Sequence, residues 1–284
     1  MQEGRASFTA AYVATCRSLG GALPREARLV DDPWGARFAG PLVAGAVEVA
    51  TKRRDGRLAP AIAGRVPFVL YMQVRTRVLD DAVARFAAEG GRQIVLLGAG
   101  FDARAARFPA LSFFEIDHPD TQRRKRRLFS SSPKTTYVAW NFERDDLAAL
   151  PRALVDHGHA RGEPTLTIWE GVTMYLTEAA ADASVVAVAS YSAPRSVLAM
   201  TYFDRVRLVD PSPIHRLARA IVGAVGEPFR FGWDPPALPA WLDARGFDVE
   251  RDDDLADLAG RLLPPSFARR VDRGTTRVAL ARRG

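Results

Sequence analysis

The chain has a single cysteine, Cys16, and only four histidines, which are scattered. One thiol makes no internal disulfide, and histidines without regular ligand spacing argue against a structural zinc site. No run of about eighteen apolar residues occurs, so no segment reads as a spanning helix. The N-terminus, MQEGRASFTAAYVATCRSLGG, carries Glu3, Arg5 and Arg17 and lacks a basic start followed by an unbroken apolar stretch. That is not the pattern of a secretory signal, and a cytosolic protein is expected. Repeats and low-complexity linkers are also missing, and lysine is scarce, at three of the 40 basic residues.

What is present is ordinary for a soluble enzyme: 48% apolar and 26% charged residues in a 284-residue chain, long enough for one large α/β domain or two small ones. The net charge of +7 raises the question of nucleic acid. Arginine- and alanine-rich composition without lysine reads instead as a coding bias, so neither a nucleic-acid nor a membrane partner is expected. Oligomeric state is not legible.

Residues 1–90 read as mostly helical. Thr9 to Leu19 has helical apolar spacing, and Val74, Val78, Leu79, Ala82, Val83 and Phe86 share one face of a second helix. From Gly91 onward short apolar strands alternate with helices. Strands are expected at Gln93–Leu97, Leu111–Ile116, Thr135–Trp140, Thr165–Trp169 and Ser196–Thr201, and helices at Pro119–Phe129, Asp145–Asp156 and Thr177–Ser190. This alternation implies a parallel sheet covered on both faces. Residues 204–232 break it with an apolar helical stretch, Ile214 to Val225, read as a lid over the strand ends. A helix at Pro235–Arg245 and strands at Phe247–Arg251 and Thr276–Ala281 complete a seven-stranded, mostly parallel Rossmann-like α/β fold, with the last strand antiparallel at an edge. The expected organisation is one domain: helical cover (1–90), binding core (91–203), lid (204–232) and end of the sheet (233–284).

The sharpest local signal is LLGAGFDAR, Leu96 to Arg104. Gly98 and Gly100 allow a tight turn after the first strand and leave bare peptide, with Ala99, for a ligand to approach. Asp117 ends the second strand seventeen residues later, where a carboxylate can accept both hydroxyls of a ribose. A tight turn without a ligand, or an NAD site, would share these features. Nothing after the fourth strand looks like a hydride-transfer site, which disfavours a dehydrogenase.

Three further segments follow in order at strand ends: FFEIDHPDTQRRKRRLF (113–129), TYVAWNFERDDL (136–147) and TLTIWEGVTMYLT (165–177). Together with GAGFDAR, Arg75 in VRTRVLDDAV, and the N-terminal segments SFTAAYVATCRSLGG and LVDDPWGARFAG, the chain resembles the leucine carboxyl methyltransferase family over nearly its whole length. The likeness is to its bacterial polyketide O-methyltransferase branch.

The resemblance implies S-adenosyl-L-methionine as cofactor and a small-molecule acceptor. It implies that Arg75 grips the methionine carboxylate, that Gly98, Ala99 and Gly100 lie beneath the methionine and ribose, and that Asp117, with His118 next to it, meets the ribose diol. Glu170 would sit near the cofactor's amino group and the acceptor. From the residues themselves, Met174 and Tyr175 in VTMYL read as core or pocket, with Tyr175 the better pocket candidate, so Glu170 and Tyr175 are the catalytic candidates. The third strand departs from the family's Asp-Phe or Asp-Leu by ending in Asn141-Phe142. An amide oxygen still accepts a bond from the adenine amino group.

Simpler roles stand beside these. Arg75 could be a surface arginine paired with Asp81 or another acid, Asp117-His118-Pro119 a helix cap, and the basic run Arg123 to Arg127 a solvated helix face. An acid ending a buried strand, as Glu170 does, needs a partner. Transfer to a carboxylate requires no general base. A phenol or carbon acceptor requires one, for which Glu170, His118 and His215 are the candidates. A protein that binds the cofactor without turnover is the alternative outside enzymes.

Overall fold

The computed structural model describes residues 8–53, 66–129, 133–142, 144–209, 223, 228–272 and 276–284. The chain begins with helices α1 (Phe8–Leu19), α2 (Pro41–Lys52) and α3 (Pro67–Ala88). Then follow β1 (Gln93–Leu97), β2 (Ser112–Asp117), α4 (Pro119–Leu128), β3 (Thr135–Ala139) and α5 (Leu150–Asp156). Next are β4 (Thr165–Trp169), α6 (Glu178–Tyr191) and β5 (Val197–Tyr202), and last α7 (Leu238–Asp243), β6 (Phe247–Asp254), α8 (Leu255–Leu262) and β7 (Arg277–Arg283).

The strands form one seven-stranded sheet in the order β3-β2-β1-β4-β5-β7-β6. The first five are mutually parallel, and β7 runs antiparallel to both neighbours. The expected antiparallel strand is therefore present, but one place in from the edge. The middle of β7 (RVALARR), Val278 to Ala281, is buried there, while β6 (FDVERDDD) takes the rim, where charged side chains guard an open edge.

Strand periodicity divides the core. Ile94 and Leu96 of β1 join α3 and α8 in one cluster, and Val95 and Leu97 join α5, α6 and α7 in the other. Helix α3 starts two turns before the amphipathic pattern at Val74. Its first residues, PFVLYM, are apolar on several faces and show no period, and Pro67 suits a first helical turn. Prolines also reset two expected helices. A 3₁₀ turn at Leu147–Ala149 precedes α5, and another at Pro235–Ala237 precedes α7. Helix α8, absent from the sequence reading, is capped by Asp254, whose carboxylate accepts from Ala256 N at 2.7 Å. The expected lid helix, Ile214 to Val225, lies outside the described residues apart from Gly223, as does His215. Among the described residues no helix is long and apolar enough to cross a membrane.

Strand order reverses between β1 and β4, so the chain leaves these two strands in opposite directions and opens a crevice at their carboxyl ends. Leu96 pairs with Ile168, which places Gly98 and Glu170 side by side two residues further on.

Candidate active site

At the tip of β1 the backbone turns sharply. Gly98 and Gly100 have φ of +76° and +50°, conformations that cost other L-residues on the order of 1–2 kcal/mol. A Cβ on Gly98 would lie 2.4 Å from Val172 Cγ2. Gly98 N and Ala99 N both donate to Ile116 O, at 2.9 and 3.0 Å, which ties the turn to β2. Gly100 N then donates to Asp117 Oδ2 at 2.6 Å, and His118 N donates to Asp117 Oδ1 at 2.6 Å.

Asp117 is thus not the cap of α4. That role falls to His118, whose Nδ1 accepts from Asp120 N at 3.2 Å. Burial raises the pKa of Asp117, and the two backbone N–H groups oppose the rise. Each carboxylate oxygen retains acceptor capacity for a ligand hydroxyl. Trp140 N donates to Asp117 O at 2.9 Å, which brings Asn141 and Phe142 to the same end of the sheet. Asn141 N donates to Asp145 Oδ2, and the Phe142 ring packs against the second core cluster.

Arg75 is not a surface arginine. It is 4% exposed, and its Nε donates to Glu170 Oε1 at 2.7 Å. Asp81 pairs with Arg77 instead. Tyr71, one turn earlier on α3, accepts from Arg75 Nη1 at 3.3 Å and lies 5.3 Å beneath its guanidinium.

The other oxygen of Glu170 is occupied as well. Arg104 Nη1 donates to Glu170 Oε2 at 2.6 Å. Burial alone would raise the carboxyl's pKa, but the guanidinium groups of Arg104 and Arg75 outweigh it and hold Glu170 at about 2. Arg104 also contacts Asp102 and donates to Asp80 Oδ1 at 2.7 Å. From Asp80 the chain of charges continues through Arg107 at 2.9 Å, Asp32 at 3.7 Å from Arg107, and Arg17 at 2.5 Å from Asp32. Arg17 Nη2 closes it on Phe101 O at 2.7 Å.

Four arginines and four acids therefore tie α1, the Asp32 loop, α3, the glycine turn and the tip of β4 together. Of these eight, the sequence alone singles out Arg75 and Glu170 as ligand candidates. Asp102 and Arg104 sit inside GAGFDAR, where the glycines drew the reading. A charged pair within an otherwise apolar turn is the signal that would have found them.

Tyr175 lies in the 3₁₀ turn Thr173–Tyr175 after β4, at the same end of the sheet. Its ring faces Phe229 at 5.7 Å, and Phe229 meets Phe203 at 5.0 Å. The structure thus gathers Arg75, Gly98, Ala99, Gly100, Asp117, His118, Asn141 and Glu170 around the β1–β2–β4 tips, with Tyr175 in an aromatic group beside them. The basic run on α4 is only partly a solvated face. Lys125 is fully buried, with Nζ 2.5 Å from Glu115 Oε2, and Arg124 reaches Phe38 O.

Side by side, a cationic Arg75 and an anionic Glu170 offer opposite charges to the two ends of an amino-acid zwitterion. Asp117, across the bare glycine turn, offers paired acceptors to a diol. These groups fit the methionine and ribose portions of S-adenosylmethionine.

The sequence comparisons agree. The family model for leucine carboxyl methyltransferase matches residues 10–189, a span that holds all of these residues. A protein of Mycobacteroides abscessus named "Putative S-adenosyl-L-methionine-dependent methyltransferase" is 33% identical over 283 residues, covering 92% of this chain and 89% of that protein. A similarly named protein of Parafrankia sp. is 30% identical over 250 residues, covering 87% and 78%. The crystal structure of a DUF574 family protein from Streptomyces avermitilis has the same fold, with a TM-score of 0.58 at 16% identity, covering 94% of this chain and all of that one. On these grounds the chain belongs to the leucine carboxyl methyltransferase family and is an S-adenosylmethionine-dependent methyltransferase.

Proposed function

We propose that this enzyme methylates a carboxylate oxygen of a small metabolite, such as a polyketide acid. The sulfonium supplies the methyl group, a carboxylate oxygen takes it as the carbon–sulfur electron pair returns to sulfur, and no proton changes hands. The protein's task is then to align the two partners and keep water out. In this reading Arg75 binds the methionine carboxylate and Glu170 the amino group. Asp117 takes the ribose diol above Gly98, Ala99 and Gly100, with His118 beside it. Asn141 and Phe142 serve the adenine, and Tyr175, with Phe203 and Phe229, stands toward the acceptor.

The observation that carries the carboxylate reading is the occupation of the two candidate bases among the described residues, Glu170 and His118. A phenol or carbon acceptor requires a group that accepts a proton. Glu170 is bonded to an arginine on each oxygen and held at about 2, far below the range of a useful base. His118 spends its Nδ1 lone pair on Asp120 N, which takes that acceptor out of use. An acceptor that is already ionised needs neither.

The test is incubation of the purified enzyme and S-adenosylmethionine with a panel of aromatic and aliphatic carboxylic acids, phenols and activated carbon acids. Products are identified by mass spectrometry and by alkaline hydrolysis. Methyl esters, released by base, are expected. Methyl ethers or C-methyl products alone would overturn the proposal.

A further inference from the structure

Two arginines hold Glu170, and they are held in different ways. Arg104 is 0% exposed and bound to acids from three parts of the chain: Asp80 of α3, Asp102 of the glycine turn and Glu170 of β4. Its own backbone N donates to Asp102 Oδ1 at 2.6 Å. Asp80 is locked in turn by Arg107, whose Nε and Nη2 donate to it at 3.0 and 2.9 Å. Arg75 makes its strong bond to Glu170 and one long bond, 3.3 Å, to the Tyr71 hydroxyl.

We infer that Arg104 is the positioning residue for Glu170: it fixes Oε2 and keeps the carboxylate charged, so that Arg75 on Oε1 can turn to an anionic ligand group without leaving Glu170 unpaired. The inference rests on the reading that Glu170 and Arg75 meet the amino-acid end of the cofactor. Without Arg104, a carboxylate in this buried place would lose its fixed partner whenever Arg75 turned away, and it would protonate instead. A neutral Glu170 accepts an ammonium group far less well.

The groups around Glu170 define what titrates. Arg75 faces it from α3, Arg104 and Asp102 from the glycine turn, and Arg17 from α1, while Tyr71 and Asp80 of α3 are bonded to Arg75 and Arg104. The opposition to protonation comes from Arg104 first and Arg75 second.

Calorimetric titration with S-adenosylmethionine between about pH 5 and pH 8 tests this on the full chain. The wild-type affinity should be flat over that range as far as Glu170 contributes. Arg104→Met should bind about tenfold or more weakly at pH 8, the loss of a charge-assisted contact, and weaken further toward pH 5 as Glu170 protonates. Arg104→Lys, which keeps the charge without the fork, should recover the flat profile but not the full affinity. Glu170→Gln should bind weakly without added pH dependence.

Wild-type affinity and profile in a folded Arg104→Met, with weak binding by Glu170→Gln, would overturn the inference and leave the role of Glu170 standing. Undiminished binding by Glu170→Gln would remove the reading on which it rests. Where Arg104→Met fails to fold, the Lys variant decides: reduced affinity with a flat profile supports positioning, and unchanged affinity overturns it.

Discussion

Arg75 Nε and Glu170 Oε1 stand 2.7 Å apart, although 95 residues separate them in the chain, and both side chains are buried. The contact pins α3 to the tip of β4 at the edge of the glycine turn. Gly171 N, next to the pair, donates to Thr201 Oγ1 at 2.8 Å and extends the tie to β5.

The two partners should differ in what their loss costs. Glu170→Gln leaves two buried guanidinium groups short of a charge, whereas Arg75→Met leaves Glu170 still bonded to Arg104. Breaking a buried pair from one side typically costs about 3–5 kcal/mol. Urea unfolding should place Glu170→Gln in that range and Arg75→Met below it. The double variant should lose less than the sum of the two single losses. Both single variants should bind S-adenosylmethionine about tenfold or more weakly by calorimetry, and NAD should not bind to either or to the wild type.

Two buried groups with lowered pKa values couple stability to acid. Burial holds His159 neutral and lowers its pKa to about 4 from 6.5. For a lowered pKa the stabilisation is present above the unfolded value and is lost as pH falls through the folded one. Stability from His159 should therefore decline between about pH 6.5 and 4. Glu170, lowered to about 2 from 4.5, should lose its share only below about pH 4.5. Unfolding free energies measured from pH 8 to pH 3 should show the lower decline directly, and the upper one as the difference between the wild type and His159→Phe, because Glu115 opposes it over the same range. Glu170→Gln should shrink the second, which Asp102 and Glu89 share, and keep the first.

Gly98→Ala should be costly for two reasons that separate experimentally. The positive φ costs on the order of 1–2 kcal/mol, and the added methyl meets Val172 Cγ2 at 2.4 Å. Pairing it with Val172→Ala should relieve the contact but not the backbone strain. The double variant should melt above Gly98→Ala once the separate cost of Val172→Ala is subtracted, yet below wild type.

The buried pair Lys125–Glu115 should behave as a unit. Lys125→Met leaves Glu115 buried and unpaired, and should lower stability by about 3–5 kcal/mol. Lys125→Met with Glu115→Leu should recover most of that loss, because a well-packed apolar pair can replace a buried ion pair at little cost. Burial pushes Glu115 up to about 7, with Lys125 opposing. By the same linkage its contribution is greatest below about pH 4.5 and is lost as pH rises toward 7.

Much of this architecture was legible in the chain. QIVLL, TLTIW and SVLAMT are short apolar runs bounded by turn signals, and each proved to be a buried central strand. The glycine turn and Asp117 are local devices, since a positive φ and a strand-end acid need no distant partner to be recognised. The family resemblance singled out Arg75 and Glu170 although neither position explains itself. Lys125 was misread with its neighbours as solvated, because a run of five basic residues conceals which one the helix turns inward.

The sequence by itself determined the strand–helix alternation, the turn at Gly98–Gly100 and the acids at the strand tips, because periodicity and backbone freedom are properties of a few adjacent residues. Only the tertiary structure decided that Arg75 meets Glu170 and not Asp81. It also decided that Arg104 gathers Asp80, Asp102 and Glu170, and that β7 inserts between β5 and β6. Those outcomes depend on which side chains are driven together when water is excluded, and a buried charge takes whichever opposite charge the packing brings within reach.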